Sequence, residues 1–270
     1  MRLIIRMLLG VAIVIGGISA TAVAQDGPPS ADTAEASLKE SPRHGEYVEI
    51  SLPGSDTTLY TWVVYPERPD KAPIILVIHE IFGMTDWANS VADAFAKEGF
   101  IAIAPDMISG KDKTKPATAT VRALTDTEIV ERLNAARDYG LSLPAANGKS
   151  ASIGFCWGGS SSFKYAVGQP ALDAAVVCYG SSPSKEDVAK IKAPVLGLYG
   201  ENDARVNTTI PNATEGMTGD GQSFEHEIYE GAGHGFFRAQ GGQDGANGVA
   251  AKKGWDRALE FLRAHTELPE

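Results

Sequence analysis

This sequence is short of cysteine, of positive charge and of long apolar runs, and each shortage closes off a class of function. Two cysteines among 270 residues form at most one disulfide and fall short of a cysteine-rich zinc site, so neither a cross-linked miniature scaffold nor a zinc finger fits. With 24 basic against 34 acidic residues and a formal charge of -10, the chain lacks the cationic surface that nucleic acids require, and neither DNA nor RNA is an expected partner. The five histidines include no H-E-x-x-H pair, there is no P-loop, and the Gly-Gly pairs at 158–159 and 241–242 make no dinucleotide fingerprint. No metal or organic cofactor is expected. Past residue 24 no apolar run is long enough to span a bilayer. What is present is apolar material in globular proportion, 43% hydrophobic against 21% charged, enough for one large core.

The first 24 residues read differently from the rest. Arg2 and Arg6 precede an apolar stretch over 7–18, and Thr21-Ala22-Val23-Ala24 closes it with small residues of the A-x-A type, the pattern of a secretory signal. Cleavage after Ala24 and a periplasmic or secreted location are the expectation, with an uncleaved anchor as the alternative. Stable membrane insertion is not expected after cleavage. Residues 25–45 are rich in Pro, Ser, Ala and acidic side chains with no apolar periodicity, so a flexible lead-in is expected there. Residues 46–270 show no second composition shift or internal repeat and read as one domain, a monomer or small homo-oligomer.

Within that domain, residues 46–52 and 59–65 are β-prone runs joined by Pro53-Gly54-Ser55-Asp56, the turn chemistry of a hairpin. Strand-length runs, several of them continuously apolar, follow at 74–78, 100–104, 150–155, 174–179, 195–199 and 224–229, the pattern expected of strands in a parallel sheet buried on both faces. Helix-period segments at 87–97, 126–139, 158–167 and 249–265 lie between or after them. Thr125-Asp126-Thr127-Glu128 and Ser184-Lys185-Glu186-Asp187 carry capping-box spacing. The alternation predicts an α/β fold: a mostly parallel central sheet, an N-terminal antiparallel hairpin, and helices on both faces, with functional groups beyond the carboxyl ends of the strands.

Those ends hold the chemistry-bearing residues. Gly154-Phe155-Cys156-Trp157-Gly158-Gly159 is the G-x-S-x-G nucleophile elbow with cysteine in the serine place. The start of a helix behind Cys156 aims free N–H groups at the sulfur, which favours a thiolate. Asp203 follows the run at 195–199, and His234 sits in a glycine-rich loop after the run at 224–229. Nucleophile, acid and base in the order Cys156, Asp203, His234 match the chain order of α/β-hydrolases; Glu201 is the alternative acid. Directly after the first parallel run comes His79-Glu80-Ile81-Phe82-Gly83, where this fold supplies an oxyanion-hole amide. Ile81 and Trp157 are the expected amide donors. Cys178 lies inside a buried run and reads as a structural thiol, although export leaves open its pairing or oxidation with Cys156.

Taken together, Glu80-Ile81-Phe82-Gly83, Ala104-Pro105-Asp106, Gly154-Phe155-Cys156-Trp157-Gly158-Gly159, Gly200-Glu201-Asn202-Asp203 and Gly233-His234-Gly235-Phe236 resemble the dienelactone hydrolase (carboxymethylenebutenolidase) family over about residues 46–265. The resemblance implies the α/β-hydrolase fold and a Cys156–His234–Asp203 triad. It also implies that Glu80 holds the resting cysteine mainly as thiol until substrate lets it take the proton. A small ester or lactone is the implied substrate, its carboxylate met by arginines: Arg238 matches one of them, and none of Lys115, Arg122 and Arg132 is assigned as the other. The rival readings are a thioesterase or acyltransferase on the same scaffold, or a hydrolase-fold binding protein without catalysis.

Overall fold

The computed structural model describes residues 27–219 and 221–268. The expected export signal lies outside them. The chain opens with α1 (Ala34–Glu40) and the hairpin strands β1 (Gly45–Ser51) and β2 (Thr58–Val64). Then come β3 (Ala72–Ile78), α2 (Asp86–Lys97), β4 (Ile101–Pro105), α3 (Ala117–Arg122), α4 (Asp126–Ser142), β5 (Ala146–Phe155) and α5 (Trp157–Gly168). The second half holds β6 (Ala174–Cys178), α6 (Lys185–Val188), β7 (Val195–Gly200), α7 (Ala204–Asn207), α8 (Ile210–Gly216), β8 (Phe224–Tyr229) and α9 (Ala246–Thr266). Among the described residues no helix is long and apolar enough to cross a membrane.

The strands form one 8-stranded sheet in the order β1-β2-β4-β3-β5-β6-β7-β8. The hairpin pairs Ile50 with Leu59, and β2 also runs antiparallel to β4; every later pairing is parallel. Every residue of β3, β4, β6 and β7 is buried, which is why these strands read as unbroken apolar runs instead of alternating ones. The period of 2 survives as a division between two layers. Ile75 and Val77 join Trp87, Phe95, Trp255 and Phe261 on the α2 and α9 face, while Ile74, Leu76 and Ile78 join Ile129, Leu133 and Phe163 on the α4 and α5 face. Each such aliphatic side chain contributes about 1.5–3 kcal/mol when fully buried.

Caps set the helix starts. The Thr125 hydroxyl accepts from the Glu128 N–H and the Glu128 carboxylate accepts from the Thr125 N–H, a capping box that opens α4. Ser184 accepts from the Asp187 N–H, but the helix it opens is one turn long.

The flexible lead-in expected over 25–45 is corrected by the structure across 27–44. Trp87 donates its indole N–H to the Pro29 carbonyl at 2.8 Å, Gln240 donates to the Pro28 carbonyl at 2.9 Å, and Ala31 N–H donates to the Arg238 carbonyl at 2.9 Å. Ala34 on α1 joins the α2-side core, and Arg43 makes a two-pronged ion pair with Asp93 of α2 at 3.0 and 2.5 Å. The segment is polar because its order comes from distant partners rather than from an apolar face of its own.

Candidate active site

The turn from β5 into α5 carries Cys156 at φ 58°, ψ −114°, a left-handed conformation that costs a residue with a Cβ about 1–3 kcal/mol. It persists because the flanks are glycines. A Cβ on Gly154 would lie 1.9 Å from the Gly158 carbonyl oxygen, and one on Gly158 would lie 2.3 Å from that of Ile78. Strand, turn and helix thus close on one another with no room for side chains, and the sulfur is pushed out over the strand ends.

Asp203 follows β7 and precedes α7, and His234 follows β8. The structure brings both to the sulfur. His234 Nε2 lies 3.1 Å from Cys156 Sγ, and its Nδ1 lies 2.5 Å from Asp203 Oδ2. Asp203 is buried, while the His234 side chain is about one-third exposed. Glu201, the alternative acid, accepts instead from the Gly231 N–H at 2.9 Å. Tyr179, just past β6, packs edge-on against the imidazole at 5.1 Å between centroids. Its own φ is 42°, and its buried hydroxyl has no hydrogen-bond partner among the described residues.

The loop after β3 supplies the opposite wall. His79 is fully buried, and burial holds its pKa below the usual imidazole range. Nε2 accepts from the Met107 N–H at 3.1 Å, which leaves Nδ1–H to donate to the Glu80 carbonyl at 2.7 Å. That pair of bonds fixes the Glu80–Ile81 peptide, and the N–H groups of Ile81 and Trp157 both face the Cys156 sulfur closely enough to favour its thiolate. Arg205 acts in the same direction. Burial and then the Glu80 carboxylate oppose them, and the thiol ends above its usual range. The helix start acts toward the thiolate as expected, but desolvation of the sulfur and then Glu80 outweigh it, which leaves the resting thiol that the resemblance implies.

Glu80 is itself 5% exposed, and burial pushes its pKa up to about 7 despite Arg238. Arg238 Nε sits 3.4 Å from Glu80 Oε2, an ion-pair contact without hydrogen-bond alignment, since Oε2 has no hydrogen-bond partner among the described residues. The same guanidinium lies over the Phe82 ring at 5.0 Å. Of the other basic candidates, Arg122 reaches the site, Arg132 is buried and donates to the Ser109 carbonyl, and Lys115 pairs with Asp112 at 3.9 Å. A cavity of about 640 Å³ joins Cys156, His234, Glu80 and the cationic side chains of Arg122, Arg205 and Arg238. The sequence reading passed over Tyr179 and Arg205. Tyr179 directly follows the end of β6 and Arg205 lies two residues after Asp203 at that same carboxyl edge, a positional signal present in the sequence.

The cysteines differ sharply in setting. Both are free; Cys156 is partly exposed and Cys178 is buried.

The profile of the dienelactone hydrolase family matches residues 59–266. A Methylorubrum extorquens protein bearing a provisional carboxymethylenebutenolidase name is 29% identical over 80% of this chain and 80% of its own. Among solved structures, a Klebsiella pneumoniae protein provisionally assigned as a dienelactone hydrolase superposes with a TM-score of 0.69 at 25% identity, covering 84% of this chain and 100% of that one. Anabaena variabilis dienelactone hydrolase superposes with a TM-score of 0.65 at 18% identity, covering 83% and 99%, a likeness of fold. The chain belongs to the dienelactone hydrolase family and is a carboxylic-ester hydrolase of the α/β-hydrolase fold.

Proposed function

We propose that this protein is an exported hydrolase that opens an ester or lactone bond in a small substrate through a Cys156–His234–Asp203 triad and a thioester acyl-enzyme. The observation that carries the reading is the unbroken contact from Asp203 Oδ2 to His234 Nδ1 at 2.5 Å and from His234 Nε2 to Cys156 Sγ at 3.1 Å, at the wall of a cavity. Export rests on the residue pattern over 1–24.

At rest the sulfur is held as thiol by burial and by Glu80. Arg238 is what keeps the Glu80 carboxyl from rising further. An anionic substrate group that engages Arg238 weakens that hold, so the proton affinity of Glu80 rises as substrate arrives and Glu80 takes the Sγ proton. The thiolate then attacks the carbonyl carbon, and the developing oxyanion lies under the Ile81 and Trp157 amides. Each such donor is worth about 10²–10³-fold in rate. Collapse expels the alkoxide, which takes the proton that Glu80 received from Sγ, and leaves the acyl group on Sγ. With Asp203 Oδ2 accepting from Nδ1–H, Nε2 is free to draw a proton from water; the resulting hydroxide adds to the thioester carbonyl, and Sγ leaves as thiolate and takes the Nε2 proton back.

The test is the Cys156→Ala protein against aryl esters and an unsaturated γ-lactone bearing a carboxylate. Turnover is expected to vanish while circular dichroism stays that of the wild type. Undiminished ester turnover would refute the nucleophile assignment.

A further inference from the structure

The chain is acidic, with a formal charge of -10, yet its active-site cavity is lined by three guanidinium groups against the single carboxylate of Glu80. A surplus of cation in a cleft of an acidic protein focuses anionic ligands there. The surplus is also divided in space. Arg238 lies beside Glu80 and over Phe82, both in the loop after β3, and Arg122 ends α3, which follows β4. Arg205 belongs to α7, which follows β7. In the sheet β4 and β3 lie on one side of β5, and β7 lies on the other, so the elbow that holds Cys156 stands between the two sources of charge. Arg205 is exposed and has no carboxylate partner among the described residues, in contrast to Arg238 with Glu80. Its charge is felt at the sulfur itself.

A substrate with one carboxylate engages the Arg238 side and leaves Arg205 without a partner. We propose that the substrate is an ester or lactone carrying two anionic groups, one on either side of the scissile carbonyl, and that Arg205 binds the second of them. The proposal rests on the hydrolase reading for the reaction, but the subsite is a matter of binding. Guanidinium suits a carboxylate because its planar N–H fork matches the two oxygens. With both ends of the molecule anchored, the carbonyl between them is held over Sγ and beneath the Ile81 and Trp157 amides, so Arg205 also orients the reacting bond.

Three esters separate the possibilities: methyl succinate, with its carboxylate on the acyl side; acetyl glycolate, with it on the alcohol side; and succinyl glycolate, with both. Wild-type kcat/KM is expected to favour the doubly charged ester over the better singly charged one by about tenfold, the worth of one charge-assisted contact. Arg205→Gln is expected to reduce that preference to within about twofold, and Arg205→Lys to restore part of it. Equal slowing of all three esters by Arg205→Gln overturns the proposal, because a residue that acts only on the thiol does not discriminate among them. No preference for the doubly charged ester in the wild type overturns it as well. Dissociation constants of the three esters for the Cys156→Ala protein read the subsite without turnover. Tighter binding of the doubly charged ester there, lost on adding Arg205→Gln, sustains the subsite even if no ester is hydrolysed, whereas equal binding of all three overturns it.

Discussion

The carboxyl ends of β5 and β6 carry the chain's two cysteines almost side by side. Phe155 pairs with Cys178 in the sheet, and the Cys156 N–H donates to the Cys178 carbonyl at 3.0 Å. Yet Cys178 is the last residue of a strand whose five residues are all buried, and burial raises its thiol well above the usual range with no N–H group offsetting it. Cys156 is one residue past its strand, at φ 58°, where the turn lifts the sulfur out of the sheet to meet an imidazole and two backbone amides. The residue type is the same and the partners are not. On the proposed reading, what makes Cys156 a nucleophile is the backbone turn and the side chains that arrive from β7 and β8.

That contrast is open to attack from the largest effect downward. Replacing His234 by Ala leaves Cys156 on its turn with no base for the water that releases the acyl group, and ester kcat is expected to fall by roughly 10²–10⁴-fold with little change in thermal unfolding. Gly154→Ala attacks the turn itself. The new methyl has backbone, not a flexible side-chain tip, at 1.9 Å, so a urea titration is expected to show a loss of about 3 kcal/mol or more, as for severe overpacking, together with loss of turnover. A Gly154→Ala protein as stable and active as the wild type would mean that the elbow is not what presents the sulfur.

Glu80→Gln sharpens the comparison electrostatically. Glu80 holds the Cys156 thiol up, so its removal is expected to move the pH midpoint of Cys156 alkylation downward and to leave Cys178 unreactive. The carboxyl also affects stability. Its pKa is raised from 4.5 to about 7 by burial, so the folded state binds the proton more tightly than the unfolded state does. Its favourable contribution is complete below about pH 4.5 and is lost as pH rises to about 7. Wild-type unfolding free energy is therefore expected to decline across that window relative to Glu80→Gln, as read by parallel denaturant titrations at each pH. The smallest effect belongs to Cys178→Ala, which removes one buried sulfur at a cost of roughly 1 kcal/mol and is expected to keep ester turnover within about twofold of the wild type, because no step of the chemistry uses that sulfur.

The sheet was legible because its interior strands are buried on both faces, so runs such as Ile74-Ile75-Leu76-Val77-Ile78 announce themselves without partners. The strand-end residues were legible for a related reason: glycines that tolerate no Cβ, as at 154 and 158, leave a local trace. The lead-in over 27–44 was not legible, since Pro28, Pro29 and Arg43 find their partners at Gln240, Trp87 and Asp93, far along the chain. The same holds for His79, whose two bonds to Met107 and Glu80 orient the Glu80–Ile81 peptide although no motif spacing marks that role. The raised pKa of the thiol was anticipated only through Glu80; its larger cause, the depth of burial around the sulfur, leaves no mark in sequence.

The central claim is that one of two neighbouring cysteines is made into the nucleophile by its turn and its partners. It is tested most directly by quenching the enzyme in acid during turnover of an aryl ester and locating the acyl mass by peptide mapping. The account predicts the acyl group on the peptide containing Cys156, none on that containing Cys178, and no adduct in the Cys156→Ala protein. An acyl group carried by any other residue, with turnover surviving alkylation of Cys156, contradicts it.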